Sequence, residues 1–142
     1  MTFTCSDQHI ADFHHHGYTV FRGIVPTSLV ADLRRAFEPG YALARSAQGV
    51  DTQRLQPVKA WAIDQAPFRD FIGLPALRDA IQRVLSPGHA MTDVLLGVLI
   101  QPAQRAWHMA WHRDWIRPDM PEDCAAEVTA RLADVRLFNQ MN

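Results

Sequence analysis

Apolar positions recur at helical spacing over the first two-thirds of this chain and run together or alternate towards its end. Ile10 and Phe13 mark one side of a short helix. Thr4 and Asp7 have capping-box spacing ahead of it, with Ser6 a second N-cap candidate. The helix ends in His14-His15-His16-Gly17, where imidazoles suit the negative end of the helix dipole and glycine suits the C′ position. Tyr18–Gly23, rich in aromatic and β-branched residues and closed by a glycine, predicts a strand. Pro26-Thr27-Ser28 opens a second helix, with Thr27 or Ser28 as its cap. Val30, Leu33, Phe37 and Tyr41 form its stripe. Pro39 removes a donor and restricts Glu38, which predicts an interruption or kink. Residues 46–58 carry no period and read as a loop.

Trp61 and Ile63 alternate as a short strand would. Pro67 opens a helix through Ile72 that Gly73 closes. Pro75 opens another, striped by Leu77, Ile81, Val84 and Leu85, and Ser86-Pro87-Gly88 stops it. The continuous apolar run Val94–Ile100 predicts a buried strand, with Gly97 marking a close approach. Pro121-Glu122-Asp123 starts a helix reaching about Arg131, capped by Asp119 or Met120. Val135–Met141 alternates and predicts a last strand. The expected core is Val30, Leu33, Phe37, Leu77, Ile81, Val84, Leu96 and Leu99. No repeat of solenoid length, low-complexity stretch or linker divides the chain, so residues 1–142 are expected to form a single α+β domain, helices first and strands later.

Composition narrows the function classes. The chain is 48% hydrophobic and 20% charged, a globular balance. Its net charge of −1, with 14 scattered Lys and Arg, gives no electrostatic footprint for nucleic acid or an anionic membrane. Cys5 and Cys124 make no disulfide framework. The N-terminus lacks the basic and apolar regions of a signal peptide, and no apolar run approaches about 18 residues. A cytoplasmic protein acting on a small molecule is the expectation, with neither nucleic acid nor membrane as partner.

The chemistry concentrates in Trp107–Trp115, WHMAWHRDW. In extended backbone, side chains at i and i+2 share a face, so His112 and Asp114 can converge while Arg113 points away. An imidazole and a carboxylate reaching one cation are two-thirds of the 2-His-1-carboxylate facial triad of non-heme Fe(II). Against this stands a bland reading, in which Trp107, Trp111 and Trp115 at four-residue steps are a helical core stripe. On a helix His108 and His112 would share a face fit for zinc. Met109 stands where a zinc protease needs its glutamate, so the hydrolytic base is missing. His14–His16 point about 100° apart on a helix and cannot share an ion without unwinding.

The order of these features resembles the phytanoyl-CoA dioxygenase family of Fe(II)/2-oxoglutarate oxygenases. FHHHGYTVFRGIVPTSLVADLRRAF (13–37), VLLGVLIQP (94–102) and WHRDW (111–115) carry the likeness, and 46–66 is its poorest part. The resemblance implies a double-stranded β-helix, or jelly roll, with helices packed on one side. It implies Fe(II) and 2-oxoglutarate as cofactors, with His112 and Asp114 as the first two iron ligands. With a carboxylate at 114, it implies hydroxylation of a small organic or acyl substrate rather than halogenation. The family's third ligand is a distal His and its 2-oxoglutarate grip a late Arg or Lys. No His follows Asp114, so the likeness implies the N-terminal part of such an oxygenase, incomplete as given: a fragment, a truncated gene product or a degenerate member. Val135–Met141 would then present an open edge and favour self-association. A small non-catalytic α+β binding or interaction domain built on the same scaffold is the other expectation.

Overall fold

The structure, a computed structural model, describes residues 3–110 and 119–131. Its elements are α1 (Asp7–His16), α2 (Thr27–Gln48), β1 (Arg54–Leu55), α3 (Ala66–Ile72), α4 (Pro75–Val84), β2 (Val98–Leu99) and α5 (Glu122–Arg131), with a 3-10 turn at Val58–Ala60. The described chain is mixed α+β and mostly helical. Its sheet has two antiparallel strands, with Arg54 opposite Leu99 and Leu55 opposite Val98. The larger sheet of a jelly roll is not among the described residues. The chain divides into two compact units, Met1–Trp107 and His108–Asn142.

The first unit holds two apolar clusters. One gathers Ala36, Phe37 and Ala44 of α2, Leu55 of β1, Val58, Ile63, Phe68 of α3 and Ile100. The other gathers Cys5, Ile24, and Leu77, Ala80 and Val84 of α4, with Ile10 and Phe13 of α1 packed on its rim. α1 therefore lies against α4, and α2 against α3 and β1.

Local signals place most helix ends. α1 is capped by Ser6 in a capping box with His9, two residues later than the Thr4–Asp7 pairing predicts. Gly17, at φ 77°, takes the left-handed position that closes it. α2 begins at Thr27 with Pro26 as its cap residue, so neither Thr27 nor Ser28 serves. It runs unbroken past Pro39 to Gln48. Pro39 and Arg35 both lie on the exposed side, where water can satisfy the Arg35 carbonyl that loses its helical partner. Gly40 follows on the buried side. A Cβ there would sit 3.0 and 3.1 Å from Phe37 ring carbons and 3.5 Å from Leu55 Cδ1. α3 ends at Gly73 and α4 starts at Pro75, as the pattern predicts.

The predicted strands fare differently. Tyr18–Gly23 is not a strand: residues 18–21 have no regular structure and the chain turns at Arg22–Gly23, with Tyr18 and Val20 exposed. Trp61 closes the 3-10 turn instead of entering a strand. The supposed loop 46–58 contains the end of α2, β1, and the fully buried Leu55 and Val58. Val94–Ile100 pairs only at Val98–Leu99 and is buried on one side alone. Leu96, Val98 and Ile100 face inward, while Val94, Leu95 and Leu99 are exposed. Two paired strands offer one packed face, so period-two alternation sends every second apolar side chain to water. Leu99, expected in the core, is 66% exposed. Of the other expected core residues Phe37, Leu77 and Val84 are buried, and Val30, Leu33, Ile81 and Leu96 are half-buried. Gly97 does mark a close approach, since a Cβ there would meet the Gln56 side chain at 3.2 Å.

In the second unit, α5 carries Glu122 and Asp123 in its first turn and Arg131 in its last, matching the dipole. Thr129 Oγ1 bonds back to the Ala125 carbonyl, and none of the helix's residues is buried.

Candidate functional site

The chain approaches its Trp/His-rich stretch along a backbone tied to the segment after α2. Beyond the β1–β2 pair, Ile100 N–H donates to Gln53 O (2.9 Å) and Ala103 N–H to Val50 O (3.2 Å). Asp51 finishes the series. Its Oδ1 accepts from the Gln104 backbone N–H and its Oδ2 from Arg105 Nε, each at 2.8 Å. The Asp51 side chain is 16% exposed. The Arg105 hydrogen bond, then the Gln104 amide, hold its carboxyl below the usual carboxylate range against a smaller opposing desolvation. Thr52 beside it is buried, its hydroxyl engaged by the Gln48 side chain and the Arg54 carbonyl.

Further ties hold the other side of the same segment. Val58 N–H donates to Leu96 O at 2.8 Å, the Gln56 carboxamide donates to Leu95 O, and Lys59 pairs with Asp93 at 3.1 Å. Residues 93–105 are thus fastened along 50–59 by main-chain and side-chain bonds of large sequence separation. Nothing in the sequence pairs Asp51 with Arg105. Each is an ordinary charged residue in a polar stretch, and only the β1–β2 register brings them together.

His112 and Asp114, the predicted metal ligands, lie outside the described residues, as do Trp111, Trp115 and the predicted strand Val135–Met141. Trp107–Ala110 form neither helix nor strand, so the helical frame that a His108/His112 zinc pair needs is not set up at 108–110. His108 is exposed and Trp107 half-buried. His14–His16 are exposed at the end of α1, the His15 and His16 rings edge to face at 4.5 Å. Among the described residues no three His, Cys, Asp or Glu side chains come together as a metal site.

Two of the open depressions in the first unit border α3. One lies between α3 and residues 91–93, bordered by Arg69, Ile72, Met91 and Asp93. The other lies between α2 and α3, bordered by Asp32, Arg35, Pro39 and Asp64, with Asp32 and Arg35 paired to each other. Neither encloses a ligand-sized space of the kind a small-molecule site provides. Among the described residues no helix is long and apolar enough to cross a membrane.

Comparison with models of known families, with characterised proteins and with solved structures finds no match to this chain.

Proposed function

We propose that this chain carries the iron-binding function of an Fe(II)/2-oxoglutarate-dependent dioxygenase of the phytanoyl-CoA dioxygenase type, acting on a small organic or acyl substrate. The observation that carries the reading is the His112-Arg113-Asp114 triplet. It stands seven residues after Arg105, the last residue fastened by Asp51. The donor chemistry fits iron: one imidazole and one carboxylate are two of the three ligands of a facial triad. His112 and Asp114 would hold the metal as ligands. Bound iron with 2-oxoglutarate would activate dioxygen for hydroxylation. The rest of the chain would position them, with the helical layer supporting β1 and β2 and Asp51 fixing where the ligand-bearing segment departs. In this reading the jelly roll is completed by strands beyond the β1–β2 pair.

The test is anaerobic titration of the chain with Fe(II) in the presence of 2-oxoglutarate, followed by absorbance, for the native sequence, His112→Ala and Asp114→Ala. The reading expects each substitution to weaken metal binding by more than about tenfold, the lower end of what loss of a mere ligand-supporting group costs. Equal affinity in all three proteins would overturn it. A second reading, a non-catalytic α+β interaction domain, draws on the predominance of helix and the small sheet among the described residues. It expects no saturable iron binding at all.

A further inference from the structure

His9 occupies the third position of α1, where a capping box ordinarily has Glu or Gln. Its Nδ1 accepts the Ser6 backbone N–H at 3.0 Å, and the Ser6 hydroxyl lies 2.8 Å from the same nitrogen. Glu and Gln remain acceptors throughout the neutral range. Imidazole does not, because its protonated form carries hydrogen on both nitrogens and accepts nothing. It is also the side chain whose ordinary charge change falls between about pH 5 and 8. We propose that His9 is a proton-operated latch on the N-terminal segment. Unprotonated, it closes the capping box and holds residues 3–6 against the α1–α4 cluster. Protonated, it loosens their hold.

The packing shows what the latch holds. The His9 ring lies 5.6 Å from both Phe3 and Phe21, whose rings are also 5.6 Å apart, edge to face. Both phenylalanines lie against the cluster of Cys5, Ile24, Leu77, Ala80 and Val84. On protonation the Ser6 hydroxyl can turn and accept from Nδ1–H, but the Ser6 backbone N–H loses its acceptor, and that loss loosens the residues that carry Phe3 and the buried Cys5.

The carboxylates of α1 near the ring already have partners. On α1, Asp7 is engaged by Arg83 (2.8 Å) and Asp12 by Gln8 (2.7 Å), while His14–His16 stand at the opposite end. The segment carrying Phe21 contributes Tyr18 and Arg22, and α4 contributes Arg78, Asp79 and Arg83. The Cys5 thiol is kept neutral by burial. Asp7 is the carboxylate nearest in sequence that could pair with an imidazolium, and Arg83 already holds it. Arg83 also donates to the Cys5 carbonyl, a second fastening of the same segment.

The experiment compares the native chain, His9→Gln and His9→Ala by urea unfolding at about pH 8 and about pH 5, either side of the imidazole range. All other histidines are common to the three proteins, so differences isolate His9. The native chain should lose about fivefold or more in its folding constant on acidification relative to His9→Gln, the worth of one cap. His9→Ala should be weakened at both pH values. A readout independent of stability is the imidazole tautomer by 15N NMR, which should show Nδ1 unprotonated and Nε2 protonated at about pH 8. Matching pH dependence of the native chain and His9→Gln overturns the latch. So does a tautomer with hydrogen on Nδ1, which decides the matter even where a variant fails to fold.

Discussion

Replacing Gly40 with Ala sets two effects of known size against each other. Gly40 lies inside α2, where alanine is favoured over glycine by about 1 kcal/mol through backbone entropy. Sequence logic therefore expects stabilisation. The structure expects the reverse. The new Cβ would stand 3.0 Å from Phe37 Cε2 and 3.1 Å from Cδ2, closer than ordinary van der Waals contact. The ring has little freedom to retreat: Phe37 is 4% exposed, and Tyr41 abuts it edge to face at 4.7 Å. Leu55 Cδ1, 3.5 Å from the same point, closes the remaining side. Overpacking of this kind costs about 1–3 kcal/mol. Subtracting the helix gain leaves a net loss of about 0–2 kcal/mol, or a few degrees in Tm for a chain of this size. Chemical denaturation of Gly40→Ala, Phe37→Leu and the double variant checks it. The double variant should recover at least about 0.5 kcal/mol relative to additivity, since the clash requires both side chains. A Gly40→Ala protein more stable by about 1 kcal/mol would refute the packing argument and leave propensity in control.

Leu77, 1% exposed in the α1–α4 cluster, should cost about 2–5 kcal/mol when cut to Ala, measured by urea denaturation. Leu99→Ala, at a site 66% exposed, should stay within about 0.5 kcal/mol. Asp51, whose carboxyl is held below its ordinary range, stabilises the fold above the unfolded-state value of about 3.9 and loses that contribution as pH falls through its lower folded value. The Tm difference between the native chain and Asp51→Asn should accordingly be constant near neutrality and shrink below about pH 4; a difference that grows in acid would contradict the clamp. Burial pushes the Cys5 thiol up, with Arg83 opposing and Asp7 adding to the shift, so Cys5 should alkylate far more slowly than the exposed Cys124, as read by mass spectrometry of the iodoacetamide adducts.

Helices were legible here because their signals are local. Pro67 and Pro75 stand in the first turns of α3 and α4, Gly17 and Gly73 stop α1 and α3, and the stripe through Leu77 and Val84 faces the core as its period requires. Ser6 outcompeted the Thr4 pairing through a histidine acceptor that composition rules for capping boxes do not include. Pro39 does not interrupt α2, because the carbonyl it frees lies on the exposed side where water can serve it, and exposure is a tertiary property.

Strands were not legible to the same degree. Tyr18–Gly23 and Val94–Ile100 have strand composition, yet a strand exists only where a second segment supplies hydrogen bonds. β2 found Arg54 and Leu55 in a stretch without period, while Tyr18–Val20 has no strand partner among the described residues. The same pairing decided the candidate site's anchor. The sequence by itself supplied the triplet His112-Arg113-Asp114 and the chemistry an imidazole and a carboxylate can offer, because ligand identity is a property of single residues. Only the tertiary structure brought Asp51 to Gln104 and Arg105, more than fifty residues away, because the loop joining them must close before any of these bonds can form.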